Sequence, residues 1–296
     1  GLLVGEGGFP TGYDIFEGNT FEGKTLLPVL KDIQQRYGFT KPVVVADAAM
    51  LSQENLDRLD DEQYPFIVAA RMRNEAQAVQ EEILQRCAGL RDGQCIEMPH
   101  GKNRRLIVAY SDKRAAKDAH NRQRGLGKLR KQIRCGRLTK ENLNNRGYNK
   151  FLKLTGEVLV EIDESKVEQT VRWDGLKGYL TNTDLSPGAV IENYGQLWQV
   201  EKAFRISKTD LRIRPMYHRR RRRIEAHVLV AFVAYTIYKE LERRLYLAKV
   251  LISPQRAAEL TQTMYEMTFR LPNDPQERRT LLQMDEEQQR LYNLLA

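Results

Sequence analysis

Two short, wholly apolar runs near the start of the chain constrain its fold more than anything else in the sequence. Residues 42–47 read Pro-Val-Val-Val-Ala-Asp and residues 66–70 read Phe-Ile-Val-Ala-Ala. Each is too short for a buried helix and rich in β-branched residues, the pattern of a strand covered on both faces. Between them Ser52 stands where it can cap a helix through Leu56 and Leu59. Ahead of them, Leu26, Leu27, Leu30, Ile33 and Tyr37 keep helical spacing after Asn19-Thr20 and stop at Gly38. The first four residues form another apolar run, ending at the turn Gly5-Glu6-Gly7-Gly8, with residues 11–16 as its hairpin partner. Hairpin, helix, strand, helix, strand implies an α/β sheet with helices on its faces.

Residues 72–175 break that rhythm. Spacing predicts a helix over 75–86, paired strands at 95–98 and 106–110 around Gly101, and a charged, solvated helix over 113–134. Short strands are expected at 158–162, 167–173 and 179–181. From Pro187 onward the chain reads as mainly helical: one helix over 191–211, a basic connection over 212–221, and a second helix over 222–249. A third begins at Ser253-Pro254 and runs through Met267, and Pro272-Asn273-Asp274-Pro275 breaks the chain before a terminal amphipathic helix over 286–295. No internal repeat is present.

Charge is concentrated. The chain is 296 residues long with a formal net charge of +9. Residues 102–153 hold 17 basic and 3 acidic side chains, and residues 201–223 hold 10 and 2, so the remainder is net acidic. Two dense basic patches on an acidic background suit displacement of counterions from a phosphate backbone. An anionic membrane would favour a basic helix with a Trp/Leu face, which the first patch lacks. No apolar run reaches the ~18 residues of a membrane span. Three cysteines (Cys87, Cys95, Cys135) at irregular spacing exclude a disulfide framework and give no zinc pattern; a reduced, cytosolic protein is the plain expectation. The opening Gly-Leu-Leu-Val-Gly has neither an initiator Met nor a basic n-region, so a fragment is expected rather than a secretory signal.

Two acids stand out. Asp47 ends an apolar strand, where open α/β sheets commonly bind ligands; the plain alternative is a loop-facing or helix-capping Asp. At about 100° per residue, Tyr194, Leu197, Trp198, Glu201, Arg205 and Lys208 share one stripe, read as an inward or cleft-facing side with Glu201 near its middle. A carboxylate there must be paired or bind a cation, and the alternative is an ion pair with Arg205 at i+4. Two carboxylates facing a cleft beside basic patches suggest hard oxygen ligands for Mg²⁺ and phosphodiester chemistry. The five arginines Arg219, Arg220, Arg221, Arg222 and Arg223 are read as meeting DNA backbone, the alternative being a solvated charge run. Phe232, Tyr235 and Tyr238 are expected in the core, and the i+9 spacing of His218 and His227 fits no helical ligand pair. The helix over 113–134 reads equally as a DNA-tracking face or a soluble helix.

Tyr194, Glu201 and Lys208 match the Tyr-x2-Arg-x3-Glu-x6-Lys motif of bacterial insertion-sequence DDE transposases, and residues 194–205 resemble that branch closely. So do residues 43–47, Arg172-Trp173-Asp174-Gly175, Pro215-Met216-Tyr217-His218 and Arg223-Ile224-Glu225-Ala226-His227, in the family's order over almost the whole chain.

The resemblance implies a ribonuclease-H-like α/β core, a mostly β insertion and a helical C-terminal part. It divides the chain into 1–71 (first part of the core), 72–180 (insertion with the basic helix), 181–250 (helical core with the Glu helix) and 251–296 (C-terminal helices). It further implies DNA cleavage and strand transfer at transposon ends with Mg²⁺ or Mn²⁺, held by three carboxylates, of which Asp47 matches the second and Glu201 the third. Tyr194 and Lys208 match positions near transposon-end DNA, and Arg205, Arg214 and the arginine run are assigned to DNA. The implied partners are double-stranded DNA, at both transposon ends and target, and a second copy in a synaptic homodimer. The implied place is the bacterial cytoplasm, at the nucleoid, with no membrane.

Two departures qualify the transfer. The motif's Arg position is Leu197, which cannot supply a fork of phosphate donors. The family's first Asp lies on a strand before the hairpin, upstream of Gly1, and Glu6 and Asp14 are poor substitutes. The core is therefore expected without its first strand, and the chain by itself is expected to show little or no activity. The alternative is a non-catalytic DNA-binding remnant of such a transposase, which would bind DNA indifferently to Mg²⁺; a general ribonuclease-H-type nuclease is a third reading.

Overall fold

The computed structural model describes residues 1–17, 22–38, 40–47, 52–136, 138, 144, 146–155, 159–209, 211, 213–271 and 276–295. The expected helix start at Asn19-Thr20, the break at Pro272 to Pro275, and Arg212 in the basic connection lie outside the described residues. The chain divides into two compact units, Asn19–Leu197 and Gly1–Gly18 with Trp198–Ala296.

The 19–197 unit is built on a five-stranded mixed sheet in the order β3-β4-β9-β6-β5. The two apolar runs form β3 (Val44–Ala46) and β4 (Phe66–Ala69), parallel and in register Val44↔Phe66. Between them α2 (Gln53–Asp61) is capped by Ser52, whose side chain accepts the Asn55 N–H, and α1 (Glu22–Tyr37) ends before Gly38 in the left-handed region, both as the sequence indicates. Strand β9 (Leu176–Thr181) pairs antiparallel with β4 and with β6 (Arg104–Tyr110), which pairs with β5 (Cys95–His100).

Alternation decides which side chain faces which layer. Val44, Ala46, Phe66, Val68, Leu180, Leu106 and Val108 point to the face covered by Leu30 of α1, Leu56 and Leu59 of α2, and Ile83 and Cys87 of α3 (Gln77–Cys87). Ile67, Ile107 and Tyr179 point the other way, onto Val190 and Tyr194 of α6 (Pro187–Gly195). The basic helix is α4 (Asp112–Arg134). It buries Leu126 and Leu129 against Phe151, the hairpin β7 (Leu152–Thr155) with β8 (Leu159–Ile162), and Val167.

In the other unit β1 (Leu2–Val4) and β2 (Pro10–Tyr13) form the expected hairpin around left-handed Gly7 and Gly8. It packs on α7 (Leu197–Thr209) and α8 (Arg221–Leu247) through Ala203, Ile206 and Tyr235. The Tyr235 hydroxyl donates to the Gly8 carbonyl at 3.2 Å, and Phe232 packs on Tyr13 with ring centroids 5.0 Å apart, so these aromatics are core as expected. The end of α8 joins α9 (Pro254–Thr261) and α10 (Glu286–Leu295) through Leu245, Leu260 and Leu291.

Three expected elements differ. Residues 167–173 are not a strand. Asp163 accepts the Lys166 N–H and starts α5 (Glu164–Val171), in which Val167 and Val171 stand one helical turn apart. The single helix over 191–211 is two helices, parted at Gly195-Gln196, where glycine is the weakest helix former present. The helix begun at Ser253-Pro254 stops at Thr261, and Met267, Thr268 and Phe269 instead join β10 (Glu266–Arg270), antiparallel to β11 (Glu277–Leu281). The C-terminal part is therefore not purely helical.

The three cysteines are free thiols, Cys87 buried and Cys135 exposed. Burial pushes the Cys87 thiol up to about 11, so almost no thiolate exists at neutral pH. Iodoacetamide is expected to label Cys135 first and to reach Cys87 only on unfolding, as peptide mass mapping over a urea series checks.

Candidate active site

Asp47 follows β3 directly, at the carboxyl end of the parallel pair β3–β4. In open α/β sheets that edge is where ligands gather, and here it opens into a cleft of about 650 Å³. The chain leaving β4 supplies Arg71 and Arg73, the antiparallel β9 enters the same edge with Lys177, α4 contributes Arg114 and Asp118, and α6 contributes Tyr194. Four cations against two acids give the lining a positive balance, suited to a polyanion.

Neighbours fix each of these groups. The Lys177 ammonium lies 4.2 Å from the Tyr194 ring centroid and 5.2 Å from that of Tyr179, and the two tyrosines meet edge to face at 5.0 Å. Tyr194 is thus held in the cleft wall, almost buried. Asp118 accepts the Gly175 N–H at 3.3 Å and lies 3.8 Å from Arg114. Arg73 stacks 5.8 Å from the Trp173 ring; burial in the concave wall is the main cause pulling its pKa below the usual value, Asp118 and Asp174 oppose that, and Arg114 and Arg122 add to it.

The transposase-like motif residues do not share one helix. Tyr194 closes α6, whereas Trp198, Glu201, Arg205 and Lys208 lie on α7, so the single stripe is cut at Gln196. That stripe is also not inward: Trp198 is 57% exposed, Glu201, Arg205 and Lys208 are exposed, and the buried side of α7 is Ala203 and Ile206. The Glu201–Arg205 ion pair does not form, and among the described residues the Glu201 carboxylate has no partner. Next to it Lys202 pairs with Glu242 of α8 at 2.6 Å, and Lys239 also donates to Glu242. Burial works against that carboxylate, yet the two ammonium groups outweigh it and hold its pKa below the usual range, fastening α7 to α8.

Arg219 to Arg223 are all exposed, with Arg220 as the N-cap of α8 and the next three in its first turn. Cations at the positive end of a helix dipole are unfavourable, by about 0.3–1 kcal/mol each, so this run does not serve helix stability. Among the described residues Arg221 alone gains an ion pair there, with Glu225 at 2.9 Å. Arg214 is exposed as well. His218 and His227, nine residues apart, meet with ring centroids 5.3 Å apart, because His218 precedes the helix that carries His227. Among the described residues no group of three or more His, Cys, Asp or Glu side chains could hold a metal ion.

The structure therefore brings Asp47 and Tyr194 to one cleft, and it places Glu201, Arg205, Lys208 and the arginine run in the other unit. Sequence reasoning missed Arg71, Arg73 and Lys177. The signal for the first two was present: Arg-Met-Arg follows an apolar strand parallel to the one that ends in Asp47.

A family profile described as the transposase DDE domain matches residues 2–237. No curated protein matches the chain. A solved structure similar to it is the piggyBac transposase in a cryo-EM synaptic complex with hairpin DNA, at 8% sequence identity and a TM-score of 0.39, too low to carry weight. That alignment covers 99% of this chain and spans 44% of the length of the other. The family profile, reaching from β1 into α8 and spanning the Asp47 edge, Tyr194 and Glu201, is sufficient: the chain belongs to the transposase DDE domain family.

Proposed function

We propose that this transposase domain serves a bacterial insertion sequence, cutting and joining DNA at transposon ends in the cytoplasm, with two copies pairing the ends in synapsis. The observation that carries this reading is Asp47 at the carboxyl edge of β3, opening into a cationic cleft within the family match. The mixed sheet with its parallel β3–β4 pair supports a ribonuclease-H-like core.

The donor chemistry fits Mg²⁺ or Mn²⁺, because Asp47 and Glu201 offer hard carboxylate oxygens, and both are solvent-exposed. Bound there, a divalent ion would supply a Lewis acid for a phosphoryl oxygen and would lower the pKa of an attacking water. Asp47 and Glu201 are the carboxylates assigned to hold it. Arg71, Arg73, Arg114 and Lys177 offset the charge of the phosphates entering the cleft, and Tyr194, fixed by Lys177 and Tyr179, gives its wall a rigid surface. Arg205, Lys208, Arg214 and the run from Arg219 to Arg223 bind the DNA backbone, which accounts for cations placed where the α8 dipole disfavours them.

Asp47 and Glu201 are assigned to two of the family's three carboxylates. The test extends the chain upstream with a strand carrying an aspartate and measures Mg²⁺-dependent nicking of terminal-repeat DNA. Glu201→Ala is expected to abolish nicking while leaving DNA affinity within about twofold, since one exposed charge is a small part of a many-contact interface. Nicking that survives Glu201→Ala removes the catalytic assignment. Salt-sensitive DNA binding without Mg²⁺-dependent nicking would mark a DNA-binding remnant.

A further inference from the structure

A second cleft in the 19–197 unit, about 510 Å³ in volume, sets Arg73 of the Asp47 cleft beside Lys150, a cation that the catalytic assignment does not use. It lies between α3, α5 and the 3₁₀ turn Asn149–Phe151, with Leu84, Phe151 and Trp173 as apolar lining. Four cations, Arg73, Lys150, Lys166 and Arg172, face one acid, Glu81. Arg172 takes up Glu81 with two hydrogen bonds of 3.0 and 2.7 Å, and Lys166 lies 3.7 Å from Asp163. Arg73 and Lys150 have no ion pair among the described residues.

Both sit over aromatic rings instead, Arg73 5.8 Å from the centroid of Trp173 and Lys150 4.9 Å from that of Phe151. Burial pulls the Lys150 pKa down, and the Arg73 charge pulls it further. Asp118 and Asp174 offset part of the Arg73 charge, but the two partly dehydrated cations still repel each other, so an anion joining them is favoured. The Gln80 amide donates to the Arg73 and Glu75 carbonyls at 3.3 and 2.8 Å, fixing the backbone that presents Arg73. Arg73 and Trp173 also line the Asp47 cleft, so the two clefts share a wall.

We propose that the second cleft is a phosphate-binding subsite, in which Arg73 and Lys150 hold a backbone phosphate of the DNA strand engaged at the Asp47 cleft. The strand's identity rests on the transposase reading; the phosphate chemistry does not. A free phosphate would offer the same group, and the experiment separates the two sources.

Fluorescence anisotropy of the whole chain with labelled duplex DNA, between about 50 and 200 mM salt, gives the slope of log affinity against log salt. Lys150→Gln and Arg73→Gln are each expected to weaken binding and lower that slope by about one, the loss of one phosphate contact. Lys150→Arg restores it. Lys249→Gln, the same charge change at an exposed turn outside both clefts and both basic patches, leaves the slope within error. Circular dichroism of each variant confirms that it is folded.

Calorimetric titration with inorganic phosphate forms the second arm. A phosphate isotherm abolished by Lys150→Gln, with an unchanged DNA slope, overturns the DNA strand as the source and leaves a free-anion site. No change in either arm overturns the subsite. Nicking is scored separately on the upstream-extended protein. If Glu201→Ala abolishes nicking while Lys150→Gln changes nothing, the subsite fails and the transposase reading stands; a lowered slope without any nicking fails the latter alone.

Discussion

Asp47→Asn is expected to lower Mg²⁺-dependent nicking by the upstream-extended protein about 10³-fold or more, with DNA affinity kept or slightly raised. Asparagine preserves the size of the side chain and the shape of the cleft but removes an anionic oxygen. Losing about 4 kcal/mol of transition-state stabilisation corresponds to a factor of about 10³, a fair magnitude for a displaced metal ligand. Folding should be almost untouched, because Asp47 is exposed and surface substitutions fall within about 0.5 kcal/mol. The comparison that gives the result meaning is Asp118→Asn. Asp118 lines the same cleft, but its carboxylate accepts the Gly175 N–H and neighbours Arg114, so its work is to hold α4 in place. It should cost stability and at most about tenfold in rate, since it makes no contact unique to the transition state. If Asp118→Asn is the inactive variant and Asp47→Asn nicks normally, the assignment of the second acid is wrong.

What could be read in the sequence was local or strongly patterned. Apolar runs at 42–47 and 66–70 fixed two strands, and residues 95–98 and 106–110 fixed an antiparallel pair, because a buried strand leaves a signal that few other structures imitate. Helix starts at Ser52 and Ser253 sit where side-chain oxygens meet free N–H groups. The failures were failures of period. Val167 to Trp173 looks extended by composition, yet a capping Asp163 and a helical burial pattern prevail. At Gly195 a helical wheel drawn through one continuous helix misplaced Tyr194 relative to Glu201, and with it the inward stripe. Tyr194 reached the Asp47 cleft by another route, through the packing of α6 on the sheet. Arg73 and Lys150 meet across 77 positions of chain, through tertiary packing that no window of sequence reports.

Arg172-Trp173-Asp174-Gly175, which marked the family resemblance, has a structural task that predicts the largest loss of stability. Asp174 takes Arg122 of α4 in a bidentate pair with both contacts at 2.6 Å and the two side chains only 13% and 12% exposed; the hydrogen bond raises the Arg122 pKa further. Trp173 lies in the core beneath α3, and Arg172 grips Glu81 of that helix. Gly175 turns the chain into β9 at φ +80, where an added Cβ would come within 2.5 Å of the Tyr110 ring and 2.9 Å of the Ser111 carbonyl. Its own carbonyl accepts the Ser111 N–H at 3.0 Å. Asp174→Ala should therefore cost about 3–5 kcal/mol, the usual loss when one partner of a buried pair is stranded. Arg122→Ala should cost about the same, and the double variant clearly less than the sum, because it strands neither charge. Gly175→Ala should cost about 2 kcal/mol or more from backbone strain and overlap. Urea unfolding followed by tryptophan fluorescence measures all four. Midpoints within error of the parent for Asp174→Ala, or a double variant as unstable as the two losses added, would mean that this turn does not clamp α4 to the sheet. The positions of Arg114 and Asp118 at the cleft would then need another cause.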